Sequence, residues 1–349
     1  MKTKFSNAAG HRLALAAALC VGAGWMSDAA ATTYSVSDAS GLSSALGKVN
    51  PGDKIKLAAG TYKGSFVATR SGAKGNPITL TGPSTAILTN SSYGFSLKAS
   101  YWKLTGFTVK SALKGIVLDG ANHNLLDNLT VEDIQQEGIH FRTFSSDNVL
   151  QNSRVHDTGQ SDPGFGEAIY VGSANSNWGS LTGGKPDTSD RNCISGNTIG
   201  PNVGAEGVDI KEGTTSVVVV GNAYDATGIS GQNFGDSFID AKGNKATIYG
   251  NTVKNPGHTT VLLDGFQTHL AFAGWGNDNV FQANVVDLES TGYGFNIDVK
   301  TTGNVVCSDN HVTTAGSGTA NVATQSCTGV QPVCPAVLKQ SMKAPLAAE

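Results

Sequence analysis

The segments SVVVVGNAY (216–224), ATIYGNTV (246–253) and DNVFQANVV (278–286) share one pattern, in which an asparagine stands just before a short strand-like run. NLLDNLTV, DNVLQNSRV, DRNCISGNTI and GNVVCSDNHV repeat it. The shared residues are Asn128, Asn152, Asn197, Asn222, Asn251, Asn284 and Asn310. Repeats of roughly 20–50 residues with short strands are typical of solenoids, and asparagine tolerates the left-handed conformation of a corner. The pattern predicts an all-β parallel solenoid; a β-sandwich with Asn-rich turns is the alternative.

The amino-acid composition agrees with one solenoid domain. Of 349 residues, 44 are glycine and 15% are charged, which is too Gly-rich for a helical protein and too apolar for a disordered one. The formal net charge is −3. Since the chain has no basic stripe, we expect no nucleic-acid partner.

The first 31 residues have the features of a secretory signal. Three basic residues precede the apolar run 13–26, and Ala29–Ala31 offers a small-residue cleavage site. The run is shorter than the roughly 20 residues of a membrane span, so we expect a secreted or periplasmic monomer with no membrane anchor. The solenoid domain is predicted over 32–334, with a loose tail over 335–349.

A short helix and a disulfide framework are predicted within this domain. In SDASGLSSALGKVNPGDKI (37–55), three apolar residues at helical spacing precede a Pro-Gly stop, and such a helix would cap the open end of the core. Exported chains usually oxidise their cysteines, and four allow three pairings. Cys327 and Cys334 are close enough in sequence to close a small loop. The other two cysteines are Cys193 and Cys307.

A second strand in successive coils carries most of the charged residues. These strands lie in EGIHFRT (137–143), EAIYVGS (167–173), EGVDIKEG (206–213) and FIDAKGN (238–244). Alternation points the polar residues outward, where coils about 4.8 Å apart stack them into columns. One column reads His140, Tyr170, Asp209 and Asp240; its neighbour reads Arg142, Gly172, Lys211 and Lys242; later coils are expected to add Asp264, Asp298 and Lys300.

Three glutamates form a third register on the same face. Glu137, Glu167 and Glu206 each precede an outward residue by three positions. Carboxylates on successive rungs repel one another unless a cation lies among them, and calcium favours carboxylate oxygens. The three glutamates are therefore predicted calcium ligands. The alternative is a solvated face on which these charges form ordinary ion pairs.

This set of residues suits the β-elimination of an acidic, uronate-containing polysaccharide. The reaction removes the proton next to the sugar carboxylate, so the site must neutralise that carboxylate and present a base. A Lys, Tyr or His beside other cations can have its pKa lowered enough to act as the base. The predicted catalytic residues are Lys211, Lys242, Arg142, Tyr170 and His140, and Asp209 and Asp240 are predicted to bind substrate.

The chain resembles the right-handed parallel β-helix polysaccharide lyases, of the chondroitinase B and alginate lyase type. The phrase L-x-x-A-L…P-G-D-x-I-x-L-x-x-G-T-Y-x-G, at 42–64, is typical of that group, and so is a Glu five residues before a strand-borne Lys, as in Glu206 and Lys211. The resemblance implies that this Glu contributes to a calcium site and that this Lys is the base. Two positions depart from the family pattern: Lys242 stands near an expected Arg, and Gly204 replaces an acidic ligand.

Two insertions interrupt the coil period, at 173–190 and 265–279. Trp178 lies in the first, and His269 and Trp275 lie in the second. Insertions in repeat proteins often form the binding face, so these three residues are predicted to contact substrate, with packing of the tryptophans as the alternative.

Other activities need nearly the same residues. A uronate C5-epimerase begins with the same proton abstraction. An inverting glycoside hydrolase needs two or three carboxylates with room for water, which Asp209, Asp240 and Asp264 could supply. A non-catalytic glycan-binding solenoid would need the tryptophans and not the lysines.

Overall fold

Three parallel sheets run along the chain in this computed structural model, which describes residues 1, 30–258, 260–329 and 331–335. The predicted signal segment lies almost entirely outside these residues, as does the tail beyond Pro335. The described residues from Ala31 to Pro335 belong to one compact unit. Within the described ranges, no helix is long and apolar enough to cross a membrane.

Each coil contributes one strand to each sheet, so the strand order in every sheet steps by one coil. The first sheet has eleven strands: Thr33–Val36, Lys54–Leu57, Ile78–Thr81, Trp102–Thr105, Leu125–Asp127, Val149–Gln151, Cys193–Ser195, Val218–Val220, Thr247–Tyr249, Val280–Gln282 and Val305–Val306. The second has ten: Gly60–Lys63, Ala86–Thr89, Thr108–Ala112, Thr130–Ile134, Arg154–Val155, Thr198–Ile199, Ala223–Asp225, Thr252–Lys254, Val285–Ser290 and His311–Ala315.

The third sheet, here called the site sheet, also has ten strands. They are Val67–Ala68, Tyr93–Leu97, Lys114–Asp119, Ile139–Arg142, Ile169–Val171, Val208–Ile210, Ser237–Ala241, Asp264–Thr268, Tyr293–Ile297 and Gly318–Ala320. This architecture confirms the predicted solenoid and excludes the β-sandwich.

Helices are few and short in the part of the chain that the structure describes. The predicted helix is present as α1 (Ala39–Leu46), and the Asp38 side chain accepts a hydrogen bond from the Gly41 N–H at its start. Its apolar residues belong to the core beside the first strands; its capping role stays a prediction. The second helix is α2 (Trp178–Leu181), and three 3₁₀ turns span Pro163–Phe165, Asn175–Asn177 and Gln232–Phe234.

Buried asparagines stack at the corner between the first and second sheets. The Asn222 side chain donates to Asn251 Oδ1 at 2.9 Å, and Asn251 donates to Asn284 Oδ1 at 3.0 Å. Asn128 and Asn152 are one residue out of this ladder, because they take the left-handed position with φ of 52° and 51°. The predicted repeat therefore combines two adjacent positions: a left-handed residue and the buried amide after it.

Two disulfides join coils of the first sheet to the C-terminal segment. Cys193 bonds Cys334, and Cys307 bonds Cys327. The suggested small loop between Cys327 and Cys334 is therefore wrong. Proximity in sequence misled here because the chain after the last coil runs back along the outside of the first sheet, where Cys334 packs with Cys193.

Candidate active site

The site sheet places the predicted column of polar residues in direct register. His140 pairs with Tyr170, Tyr170 with Asp209, and Asp209 with Asp240. Their apolar neighbours, such as Ile169, face the core, as strand alternation requires. The sequence pattern therefore predicted the register of these four coils correctly.

Later coils depart from the expected pattern. Asp240 pairs with Gln267, and Gln267 pairs with Asn296. The strands lie at 264–268 and 293–297. Asp264 is therefore the first residue of its strand, and Asp298 and Lys300 lie in the turn after theirs. The expected continuation of the columns is wrong for Asp264, Asp298 and Lys300.

A cavity of about 530 Å³ opens on the outer face of the site sheet. This volume lies in the range of sites that bind small molecules or sugar units. Four predicted catalytic residues line it, together with two of the predicted glutamates and one unpredicted lysine. They are Lys211, Arg142, Tyr170, His140, Glu137, Glu167 and Lys114.

Lys211 is a cation held by carboxylates. Its Nζ lies 2.7 Å from Asp209 Oδ2, and its side chain is 13% exposed. Burial alone would lower the pKa of Lys211, but the negative charges of Asp209, Glu167 and Glu206 outweigh burial and raise it. Neutralising those carboxylates would leave burial as the main influence on the pKa of Lys211, and burial favours the neutral amine, which can accept a proton.

Lys242 does not line the cavity. Its Nζ lies 2.9 Å from Asp209 Oδ1 and 2.8 Å from Asp240 Oδ2. Both aspartates are buried, and Asp240 also accepts from His269 Nδ1 at 2.9 Å. These contacts correct the predicted roles: Lys242 supports Asp209 instead of meeting substrate, and the two aspartates bind lysines instead of sugars. His269 is half exposed but lies outside the cavity lining.

Tyr170 and His140 pack edge to face, with ring centroids 4.4 Å apart. Burial, reinforced by the charges of Asp209 and Glu167, raises the pKa of Tyr170 well above its ordinary value, so the phenol keeps its proton. Burial and the nearby Arg142 lower the pKa of His140, which is therefore neutral at pH 7. Because His140 Nε2 lies 2.8 Å from the Gly172 carbonyl oxygen, Nε2 carries the ring proton.

Arg142 is fixed from the preceding coils. Its Nε donates to Asp119 Oδ1 at 2.6 Å, and its guanidinium lies over the ring of Tyr93 at 5.5 Å. Sequence reasoning missed Asp119 and Lys114, although the segment KGIVLDG (114–120) aligns Asp119 directly with Arg142. Lys114 binds Glu137, which places this carboxylate in an ion pair.

Three buried carboxylates converge beside Lys211. Oxygen atoms of Glu167, Glu206 and Asp209 lie within 4.8 Å of one another. Burial, then the charges of Asp209 and Glu137, raises the pKa of Glu167 to about 8, and burial likewise raises that of Glu206. We call these three residues the acidic cluster. It contains two predicted ligands, but Asp209 takes the place expected for Glu137.

Neither predicted tryptophan lines the cavity. Trp178 is 5% exposed, its Nε1 donates to the Ser173 carbonyl at 2.9 Å, and its ring packs on Phe272 with centroids 5.2 Å apart. The predicted sugar-stacking role of Trp178 is wrong, because its ring is buried and packs on Phe272 of the second insertion. Trp275 is half-buried in the second insertion.

Known proteins match this chain in sequence and in fold. The family model for the Pel9A-like, right handed beta helix region matches residues 25–181. The crystal structure of an alginate lyase from Paenibacillus sp. str. FPU-7 is 41% identical, with a TM-score of 0.78, over 85% of this chain and 99% of that one. This chain belongs to the right-handed parallel β-helix polysaccharide lyases. The family resemblance seen in the sequence is thereby confirmed.

Two more distant solved structures share the fold. The crystal structure of pectate lyase Pel9A is 17% identical, with a TM-score of 0.53, over 84% of this chain and 79% of that one. A rhamnogalacturonan lyase is 16% identical, with a TM-score of 0.55, over 83% of this chain and 87% of that one. No curated protein sequence matched the chain.

Proposed function

We propose that this β-helix lyase is secreted and cleaves a uronate-containing polysaccharide by β-elimination. The observation that carries the proposal is the meeting of Lys114, Arg142 and Lys211 with Tyr170 in one cavity. Two cationic groups, Lys114 and Arg142, suit a substrate whose reacting sugar bears a carboxylate, and Lys211 lies beside them as the candidate base. Alginate is the favoured substrate, since the relative that is 41% identical is an alginate lyase.

Each cavity residue has a distinct role in this reaction. Arg142 and Lys114 hold the sugar carboxylate, and Lys211, in its neutral amine form, takes the proton from C5 on Nζ. The electron pair of that bond forms the C4–C5 double bond as the C4–O bond breaks, and the Tyr170 hydroxyl gives its proton to the departing oxygen. His140 stays neutral and positions the Tyr170 ring.

The acidic cluster fits a calcium ion. Glu167 Oε2 is buried and has no hydrogen-bond partner among the residues described, and carboxylate oxygens are the ligands that calcium prefers. Glu167, Glu206 and Asp209 would hold the ion, which would neutralise their negative charge beside Lys211.

A glycoside hydrolase is the weaker candidate. Inverting hydrolysis needs two carboxyl groups that face the substrate with room for a water molecule. Asp209 and Asp240 are instead buried against Lys211, Lys242 and His269. Burial would raise the pKa of Asp240, but Lys242 and His269 outweigh burial and lower it, so this carboxylate stays ionised and does not supply the acid that hydrolysis requires.

The proposal is tested by product chemistry. The protein should be incubated with alginate, pectate, glucuronan and glycosaminoglycans, with and without calcium, and the absorbance of 4,5-unsaturated product recorded. Alginate should give a rising absorbance. An epimerase would leave the absorbance flat while changing the uronate composition, and a hydrolase would release reducing ends without absorbance; either result refutes the lyase.

A further inference from the structure

Two exposed phenylalanines, one in the cavity lining and one next in sequence to a lining residue, take no part in the proton transfers. Phe165 lines the cavity and is 55% exposed. Phe234 is 83% exposed and directly follows Asn233, which also lines the cavity. Each phenylalanine ends one of the 3₁₀ turns, Pro163–Phe165 and Gln232–Phe234.

The two turns contact each other although they come from different coils. Asn233 Nδ2 donates to the Gly164 carbonyl at 2.9 Å. The coil between them has Gly204 at this point, where a Cβ atom would lie 2.9 Å from the Pro163 carbonyl oxygen. A side chain there would push the first turn away. The chain is therefore built to hold the two turns together at one edge of the cavity.

Folding alone does not account for Phe234. Its φ is 64°, a left-handed conformation that is rare and strained for a bulky side chain. Burial of the ring would offset such strain, yet the ring remains mostly in water. Strain in a position that packing does not require points to function.

We propose that Phe165 and Phe234 form an aromatic wall that stacks on sugar rings next to the reacting uronate. This inference rests on the proposed function and names how the polymer is held. A pyranose ring carries carboxylate and hydroxyl groups at its rim and C–H groups on its faces. The cations of the cavity bind the carboxylate and hydroxyl groups, and rigid aromatic faces bind the C–H faces at a small entropic cost.

The wall is tested by kinetics on Phe165→Ala and Phe234→Gly, with the polymer and with oligosaccharides of increasing length. KM for the polymer should rise about tenfold in each variant while kcat stays within about twofold, because stacking is uniform binding. The loss should vanish for oligosaccharides too short to reach the wall. Phe165→Tyr should restore the wild-type KM. Phe234→Gly should not lower the melting temperature, since glycine adopts positive φ without strain.

Tyr101→Ala is the matched control, because Tyr101 is an aromatic residue with φ of 60° that is not part of the cavity lining. Its KM should equal that of the wild type. Direct titration of alginate into the inactive Lys211→Ala background, with and without Phe165→Ala, separates the two proposals. If Phe165→Ala leaves the affinity for alginate unchanged in that background, while the wild-type enzyme cleaves alginate, the aromatic wall is refuted and the lyase is not. Absence of unsaturated product from every polymer overturns the lyase, whatever the binding result.

Discussion

Lys211 Nζ lies 2.7 Å from Asp209 Oδ2, and the other oxygen of the same carboxylate lies 2.9 Å from Lys242 Nζ. One buried aspartate thus holds two lysines from neighbouring coils, of which only Lys211 reaches the cavity. Removing a partner from a buried pair costs more than the pair contributes. Substitution of Lys211 leaves Asp209 bound to Lys242, so activity and folding can be separated at this residue.

Tyr170→Phe removes the proposed proton donor and keeps the ring. The aromatic contact with His140 remains, so the melting temperature should stay within a few degrees of the wild type. Turnover of the polymer should fall by about 10²–10⁴, the usual effect of losing a general acid. A variant that keeps most of its kcat would show that the leaving oxygen receives its proton from another group.

Calcium should stabilise the protein through the acidic cluster. A ligand at about 100 times its Kd adds about 2.7 kcal/mol to the free energy of unfolding, which thermal denaturation with calcium and with EDTA would measure. Glu167→Gln should abolish most of this response. Glu132→Gln, at an ion pair with Lys110 on the second sheet, serves as the control and should keep it. If calcium changes neither the stability nor the activity of the wild type, the calcium site is refuted, and the lysines alone balance the negative charge of the acidic cluster.

His269 should make stability depend on pH. Its hydrogen bond to Asp240 raises the pKa of His269 above the ordinary value of 6.5. A histidine whose pKa is raised by folding stabilises the protein fully below about pH 6.5, and this contribution is lost as pH rises through the folded-state value. The melting temperature of His269→Gln should therefore fall below that of the wild type at pH 6 and approach it at pH 9. The exposed His311→Gln is the control; a constant difference at both pH values would contradict the assignment.

The asparagine ladder should dominate the stability of its corner. Asn251→Ala removes the oxygen that accepts from the Asn222 backbone N–H at 3.0 Å and from its side-chain amide at 2.9 Å, at a cost of about 1–3 kcal/mol for each group left unsatisfied. Asn128→Gly, at an exposed left-handed position, should be close to neutral, because glycine favours that conformation. Urea denaturation of both variants gives the comparison. Equal losses would mean that the buried amides contribute no more than the turn positions.

The sequence predicted the fold and the columns because a strand alternates with a strict period of two. That period placed His140, Tyr170 and Asp209 in register before any contact was known. Strand alternation predicts on which side of the sheet a side chain leaves the backbone, but not where the end of a long side chain lies. Lys242 occupies an outward position, yet its four-carbon stem carries the ammonium to buried aspartates and away from the cavity.

The repeat pattern of the strands did not predict contacts between segments that are far apart in sequence. Trp178 is buried because the second insertion brings Phe272 against it, and no local signal distinguishes that from an exposed ring. Phe165 and Phe234 lie in irregular turns with no period, so their approach to the cavity appears only when the coils are stacked. Both cases depend on how irregular segments between the strands fold, which strand alternation does not determine.

The most direct test of the account compares Lys211→Ala, Lys211→Arg and the wild type by the absorbance of unsaturated product from alginate. If Lys211 is the base, both variants should lose about 10²–10⁴ of the turnover, because arginine keeps the charge but does not give up its proton. The control Lys300→Ala, at an exposed lysine outside the cavity lining, should match the wild type. Substantial activity in Lys211→Arg would contradict the central claim and show that residue 211 only neutralises the substrate carboxylate.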